Sequence, residues 1–135
     1  MTAAEALLAA GALHLGFQLV VTGVVYPALA EVPDADWTRA HDAHSRRITM
    51  IVAPFYLLLA AACLWVLVSG PYDALTLTSV AGAAIAALTT ALVAAPTHGR
   101  LERDGRNEVL MRRLRFADGV RLGGAVLCAA CAFAA

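Results

Sequence analysis

The chain has 135 residues, 61% of them hydrophobic, and its ten basic and ten acidic side chains cancel. That length makes one domain, residues 1–135, and so apolar a composition excludes an ordinary soluble globule. Because acidic residues are mixed among the basic ones, no polybasic face is offered to nucleic acid.

Four apolar stretches follow one another: Ala3–Ala30, Ile48–Ser69, Leu75–Ala95, and a last one between Phe116 and Ala135. Each comes near the roughly 20 residues a helix needs to cross a hydrocarbon core of about 30 Å. The pattern predicts an all-α integral membrane protein, an antiparallel four-helix bundle. There is no lysine, and every arginine lies within Arg39–Arg47 or Arg100–Arg121. Four spans put both segments on one side. The positive-inside rule then places the arginines in the cytoplasm and both termini outside, in a bacterial cytoplasmic membrane, with lipid headgroups as partners. Cytoplasmic helical extensions are expected at Asp34–Arg47 and His98–Arg115. The first stretch has no basic n-region, so it reads as a span rather than a cleavable signal.

In span one, His14 and Gln18 stand at i and i+4 about midway across. Polar side chains at that depth face the bundle interior, either in a substrate pocket or in an interhelical hydrogen bond. The span is expected to end near Tyr26–Pro27, with Tyr26 at the interface, and Asp34 to cap the next helix. The segment from Asp34 to Phe55 then runs without a break until Pro54. Trp37, His41, His44, Ile48, Ile51 and Phe55 share one stripe at about 100° per residue, predicted to face inward.

Asp73 is a predicted N-cap for span three, where Ala81, Ala84, Ala87, Ala91 and Ala94 form a small-residue face suited to a close neighbour or to a homo-oligomer. That face leads to His98, at a depth similar to that of His41 and His44, with Glu102 one turn later. Asp104–Asn107 is a predicted turn and Asn107 a cap for helix four. Leu122–Ala135 alone gives roughly 21 Å of helix, too little for the hydrocarbon, so span four must take in Asp118 and Arg121. Arg121 shares a stripe with Ala117, Gly124, Cys128, Cys131 and Ala135. An Arg–Asp pair there is either a functional site or a snorkelling arginine. Offsetting the chain by 69 residues places Pro27 on Pro96 and suggests two similar halves.

Three chemistries are compatible with these residues. His41, His44, His98 and Glu102, from two helices, make a reasonable first shell for Zn, Fe or Cu. The same histidines, oriented by Asp118 or Glu102, suit acid–base chemistry without a metal. Cys128-x-x-Cys131 invites a thiol-redox reading, against which stands an outer loop without cysteine.

The segments Val24–Leu29, Ala40–Thr49 with Pro54, and Ala95–Gly105 resemble a group of small four-span bacterial membrane proteins. The shared pattern is Tyr26-Pro27 after span one, His41-x-x-His44-x-x-Arg47-Ile48-Thr49 into span two, and Pro96-x-His98-x-x-Leu101 after span three. More distantly the layout is similar to the membrane anthrone-oxygenase-like family, which oxidises polyketide anthrones to quinones without a well-defined cofactor. The chain departs from those relatives at Leu114–Ala117, where they carry an Asn-Trp-x-Arg-like segment. The resemblance implies a membrane enzyme, oxygenase-like or otherwise oxidoreductive, acting on a lipophilic small molecule. From the residue pattern, its reactive or metal-binding centre would be His41, His44 and His98, its polar clamp Asp118 and Arg121, and its pocket wall His14, Gln18 and Trp37. The alternative is a non-catalytic membrane module, an accessory subunit or small carrier whose polar residues hold helices together.

Overall fold

The computed structural model describes all 135 residues. The protein is an all-α bundle of four long helical rods, each long and apolar enough to cross a membrane: Ala3–Ala30, Asp34–Ser69, Ala74–Asp104 and Glu108–Ala134. The first rod comprises α1 (Ala3–Val20), a π-turn at Val21–Val25, and α2 (Tyr26–Ala30). After a single 3-10 turn at Asp34–Asp36, α3 runs unbroken from Trp37 to Ser69, through Pro54. The third rod comprises α4 (Ala74–Thr89), a second π-turn at Thr90–Ala94, and α5 (Ala95–Asp104). The last rod is α6 (Glu108–Ala134).

Local chemistry sets these boundaries. Thr2 and Glu5 form a reciprocal capping box at the start of α1. Asp73 caps α4, accepting from the Thr76 amide at 2.9 Å, and the Thr76 amide and hydroxyl hold its carboxyl below the usual aspartate range. Asn107 caps α6 through the Val109 and Leu110 amides. Gly105, at φ +77°, makes the turn between α5 and α6. Asp34 is not a cap, contrary to the expectation. It sits in the 3-10 turn and pairs with Arg106 at 3.2 Å, while Asp36 occupies the N-cap position but accepts from Arg39 at 2.7 Å rather than from the helix backbone.

Neither Tyr26–Pro27 nor Pro96 ends its helix. Proline lacks an N–H and crowds the carbonyl four residues back, and a widened turn relieves both problems. The Tyr26 amide therefore bonds to the Val21 carbonyl, and the Ala95 amide to the Thr90 carbonyl, each one residue further back than in an α-helix. The two π-turns stand at equivalent places in the two halves, at the offset that aligns Pro27 with Pro96.

The rods pack α1 against α3 and α6, and α4 most closely against α6; α3 and α4 meet more loosely. At the α4–α6 crossing Gly82 and Gly124 lie back to back. A Cβ on Gly82 would come within 2.7 Å of the Gly124 carbonyl oxygen, and one on Gly124 within 2.7 Å of the Gly82 oxygen. The predicted alanine face is thereby corrected: Ala81, Ala84 and Ala91 are exposed, whereas Thr76, Ser79, Gly82, Ala83 and Ala86 are buried. The Arg121 stripe of α6 is buried as far as Cys128, which packs at the junction of α1, α4 and α6. On α3, Ile51 is exposed, and the inward face passes instead through Val52 to Leu59, Ala62 and Val66.

Two hydrophobic clusters result. One, built on Leu7, Leu59, Val66 and Ala83, fills the end away from the arginines. The other, built on Leu29, Trp37, Leu101 and Leu114, fills the arginine-bearing end. A layer of buried polar side chains separates them.

Candidate active site

Each rod contributes to this layer. Its deep part is three interhelical bonds and one ion pair. His14 Nε2 lies 3.3 Å from the Tyr56 hydroxyl, which in turn lies 2.7 Å from Thr90 Oγ1. Gln18 Nε2 donates to Asp118 Oδ1 at 2.7 Å, and the same oxygen accepts from an Arg121 terminal nitrogen at 2.9 Å. Asp118 and Arg121 are almost wholly buried, at 4% and 6% exposure. A buried pair of this kind needs hydrogen bonds on its remaining atoms, and Gln18 supplies one of them.

From Arg121 the network continues outward. The guanidinium donates to the Tyr26 hydroxyl at 2.9 Å. That hydroxyl lies 3.4 Å from His98 Nε2, and His98 Nδ1 lies 3.1 Å from His41 Nε2. Donor counting favours one direction for these bonds, the one that uses the Tyr26 proton. Arginine can only donate, so the Tyr26 oxygen accepts from it and turns its own proton toward His98 Nε2. His98 then carries its proton on Nδ1 and donates to His41 Nε2, which leaves the His41 proton on Nδ1. That atom has no hydrogen-bond partner and points toward Asp42 Oδ1, 3.9 Å away. The result is a directed chain of hydrogen bonds, Tyr26 to His98 to His41, running from the buried polar layer toward the arginine-bearing end.

Aromatic stacking holds this hydrogen-bonded chain in place. Trp37 stacks on His41 with centroids 5.2 Å apart, which orients the His41 ring edge to edge with His98, the two 25° from coplanar. Arg106 covers the outer face of Trp37 at 5.3 Å while donating to the Ala30 and Val32 carbonyls, tying the turn after α2 to the start of α6.

A cavity of about 310 Å3 opens beside this hydrogen-bonded chain. Phe17, Val21, Ile48 and Val52 form apolar wall, and Tyr26, His44, His98, Glu102 and Arg121 supply polar groups. A small number of converging polar groups in an apolar wall is the usual composition of a small-molecule site. Arg121 Nε is buried without a protein partner.

The predicted residues therefore divide. His41, His98, Asp118 and Arg121 belong to one connected network, and His44 joins as a half-buried neighbour with its ring 5.7 Å from that of His98. His14, Gln18 and Trp37 are fully buried but do not line the cavity, so the pocket-wall role expected of them is corrected to one of bonding and stacking. The metal expectation is likewise not met. His41, His44, His98 and Glu102 do not gather as a coordination set, and no group of three or more His, Cys, Asp or Glu side chains does so. Both ring nitrogens of His98 already face protein partners, which leaves no lone pair directed at a shared ion. All three cysteines are free thiols, and Cys128 Sγ lies against Ser79 Oγ at 3.5 Å as a packing group.

Tyr26, Tyr56 and Thr90 were not singled out by the residue pattern as site residues. The available signal was their type: a hydroxyl deep in an apolar span needs a partner, and Tyr56 and Thr90 find each other across helices while Tyr26 finds Arg121 and His98. Comparison with known proteins gives no match among family models, curated proteins or solved structures.

Proposed function

We propose that the protein is a membrane-embedded enzyme, an oxygenase-like or other oxidoreductase, acting on a lipophilic small molecule that reaches the cavity from the bilayer. The observation that carries this reading is the cavity itself, where an apolar wall meets Arg121, Tyr26 and His98 at the head of a relay. A substrate with an acidic C–H beside a carbonyl, or an acidic phenol, fits these groups. Its oxygen would lie against the Arg121 guanidinium, which stabilises negative charge as it develops. The Tyr26 oxygen would take the substrate proton while passing its own to His98 Nε2. The Nδ1 proton of His98 then moves to His41 Nε2, and the Nδ1 proton of His41 leaves toward Asp42.

The anthrone-oxygenase-like resemblance supports a carbon acid as the substrate and dioxygen as the oxidant. In that case the ring CH2 of an anthrone and one O2 become a quinone carbonyl and one water. The positive-inside pattern supports a cytoplasmic position for the arginine end, with the relay delivering its proton on that side.

The test uses anthrone as the probe, with protein in lipid nanodiscs. Wild-type protein is expected to accelerate both deuterium exchange at the acidic carbon and oxygen uptake. Tyr26→Phe is expected to lose about 100-fold or more of each rate, the usual range for one general acid–base group. A wild-type protein that accelerates neither contradicts the proposal. The bonds that satisfy His14, Gln18 and Asp118 within the protein favour a second reading, a non-catalytic module, for which Tyr26→Phe changes only thermal stability.

A further inference from the structure

A second concavity lies on the seam between α3 and α4. It is a groove of about 260 Å3 whose ten lining residues are all hydrophobic, among them Leu59, Cys63, Leu67, Val80 and Ala84. The groove and the cavity adjoin on both helical rods. On α3, Val52 and Ala53 line the cavity, and Tyr56, one turn further on, lines the groove. On the facing rod, Thr90 lines the cavity and Ala87, one turn earlier, the groove. The bond between Tyr56 and Thr90 marks the junction. From Val52 to Leu67 the seam runs roughly 22 Å at the helical rise. The two ends differ in chemistry. One is lined by the polar groups of Arg121, Tyr26 and His98, and the other is almost wholly apolar.

We propose that the ligand of this site is a tailed amphiphile. Its anionic or hydrogen-bond-accepting head sits at Arg121 and Tyr26, and a linear acyl or isoprenoid tail lies along the α3–α4 groove. The proposal rests on the reading of the cavity as a ligand site and adds the tail. Free lipid chains compete for any groove open to the bilayer, but a tail tethered to a bound head meets the groove at high effective concentration. The tail also sets the depth of the head, holding it level with the relay.

The experiment measures binding by calorimetry, with the full chain in nanodiscs. The probes are 2-hydroxy-1,4-naphthoquinone, an acidic ring alone, and its 3-dodecyl derivative. Affinities are compared after correction for partition into protein-free discs. Wild type is expected to bind the dodecyl probe roughly tenfold or more tightly than the ring, the gain a tethered second contact supplies. Ala84→Trp fills the groove from an exposed position, and is expected to abolish that gain while leaving affinity for the ring unchanged. Ala60→Trp, from the opposite wall, is expected to do the same and serves if Ala84→Trp does not fold. A tail advantage that survives both substitutions, or one absent from wild type while the ring still binds, overturns the tail and spares the head site. Binding of neither probe overturns both.

Discussion

Arg121 keeps its place through Asp118 on its own rod and through Gln18 and Tyr26 on the first. Removing one member of a buried pair strands the other, whereas replacing both with apolar groups of similar volume can be nearly neutral. Asp118→Ala is therefore expected to cost about 3 kcal/mol in unfolding free energy, and the double variant Asp118→Leu/Arg121→Met to recover most of it. Reversible unfolding in mixed micelles measures both, and equal losses in the single and double variants would contradict the pairing. This pair was legible in the sequence, because the last apolar run is too short to span without it. Tyr26 was not. Its role depends on partners 72 and 95 residues away, and no local spacing carries that information. His41 and His98 fell between these cases: their common depth could be read from helix length, but not the direct nitrogen-to-nitrogen contact that replaces a shared metal.

Among the elements, α4 and α6 have the closest approach, and glycine allows it. Gly82→Ala places a methyl group 2.7 Å from backbone on α6, and overpacking of this kind typically costs about 1–3 kcal/mol. Gly119→Ala, with nothing within 4 Å of the added carbon, is the matched control and is expected to be near neutral. Thermal unfolding in detergent distinguishes them, and equal melting temperatures would contradict the packing described. The alanine periodicity of α4 pointed to the wrong face because alanine suits lipid as well as a neighbour; Gly82 and Ser79 decided the rotation. The π-turns were not predicted either. Yet the offset that aligned Pro27 with Pro96 also aligns the two turns, a backbone feature composition does not report.

At the scale of the molecule, four rods, two hydrophobic clusters and one polar layer make a bundle whose class could be read from hydropathy alone. Its site could be read only in part, because chains of hydrogen bonds across rods depend on rotation and depth together. The relay is the central claim, and it assigns a proton to a particular nitrogen on each ring. Nitrogen-15 NMR of histidine-labelled protein in nanodiscs reads those positions directly. His98 and His41 are both expected to be neutral and protonated on Nδ1, with the His98 assignment disturbed in Tyr26→Phe. Protonation of His98 on Nε2, or signals averaging like solvated imidazole, would contradict the relay.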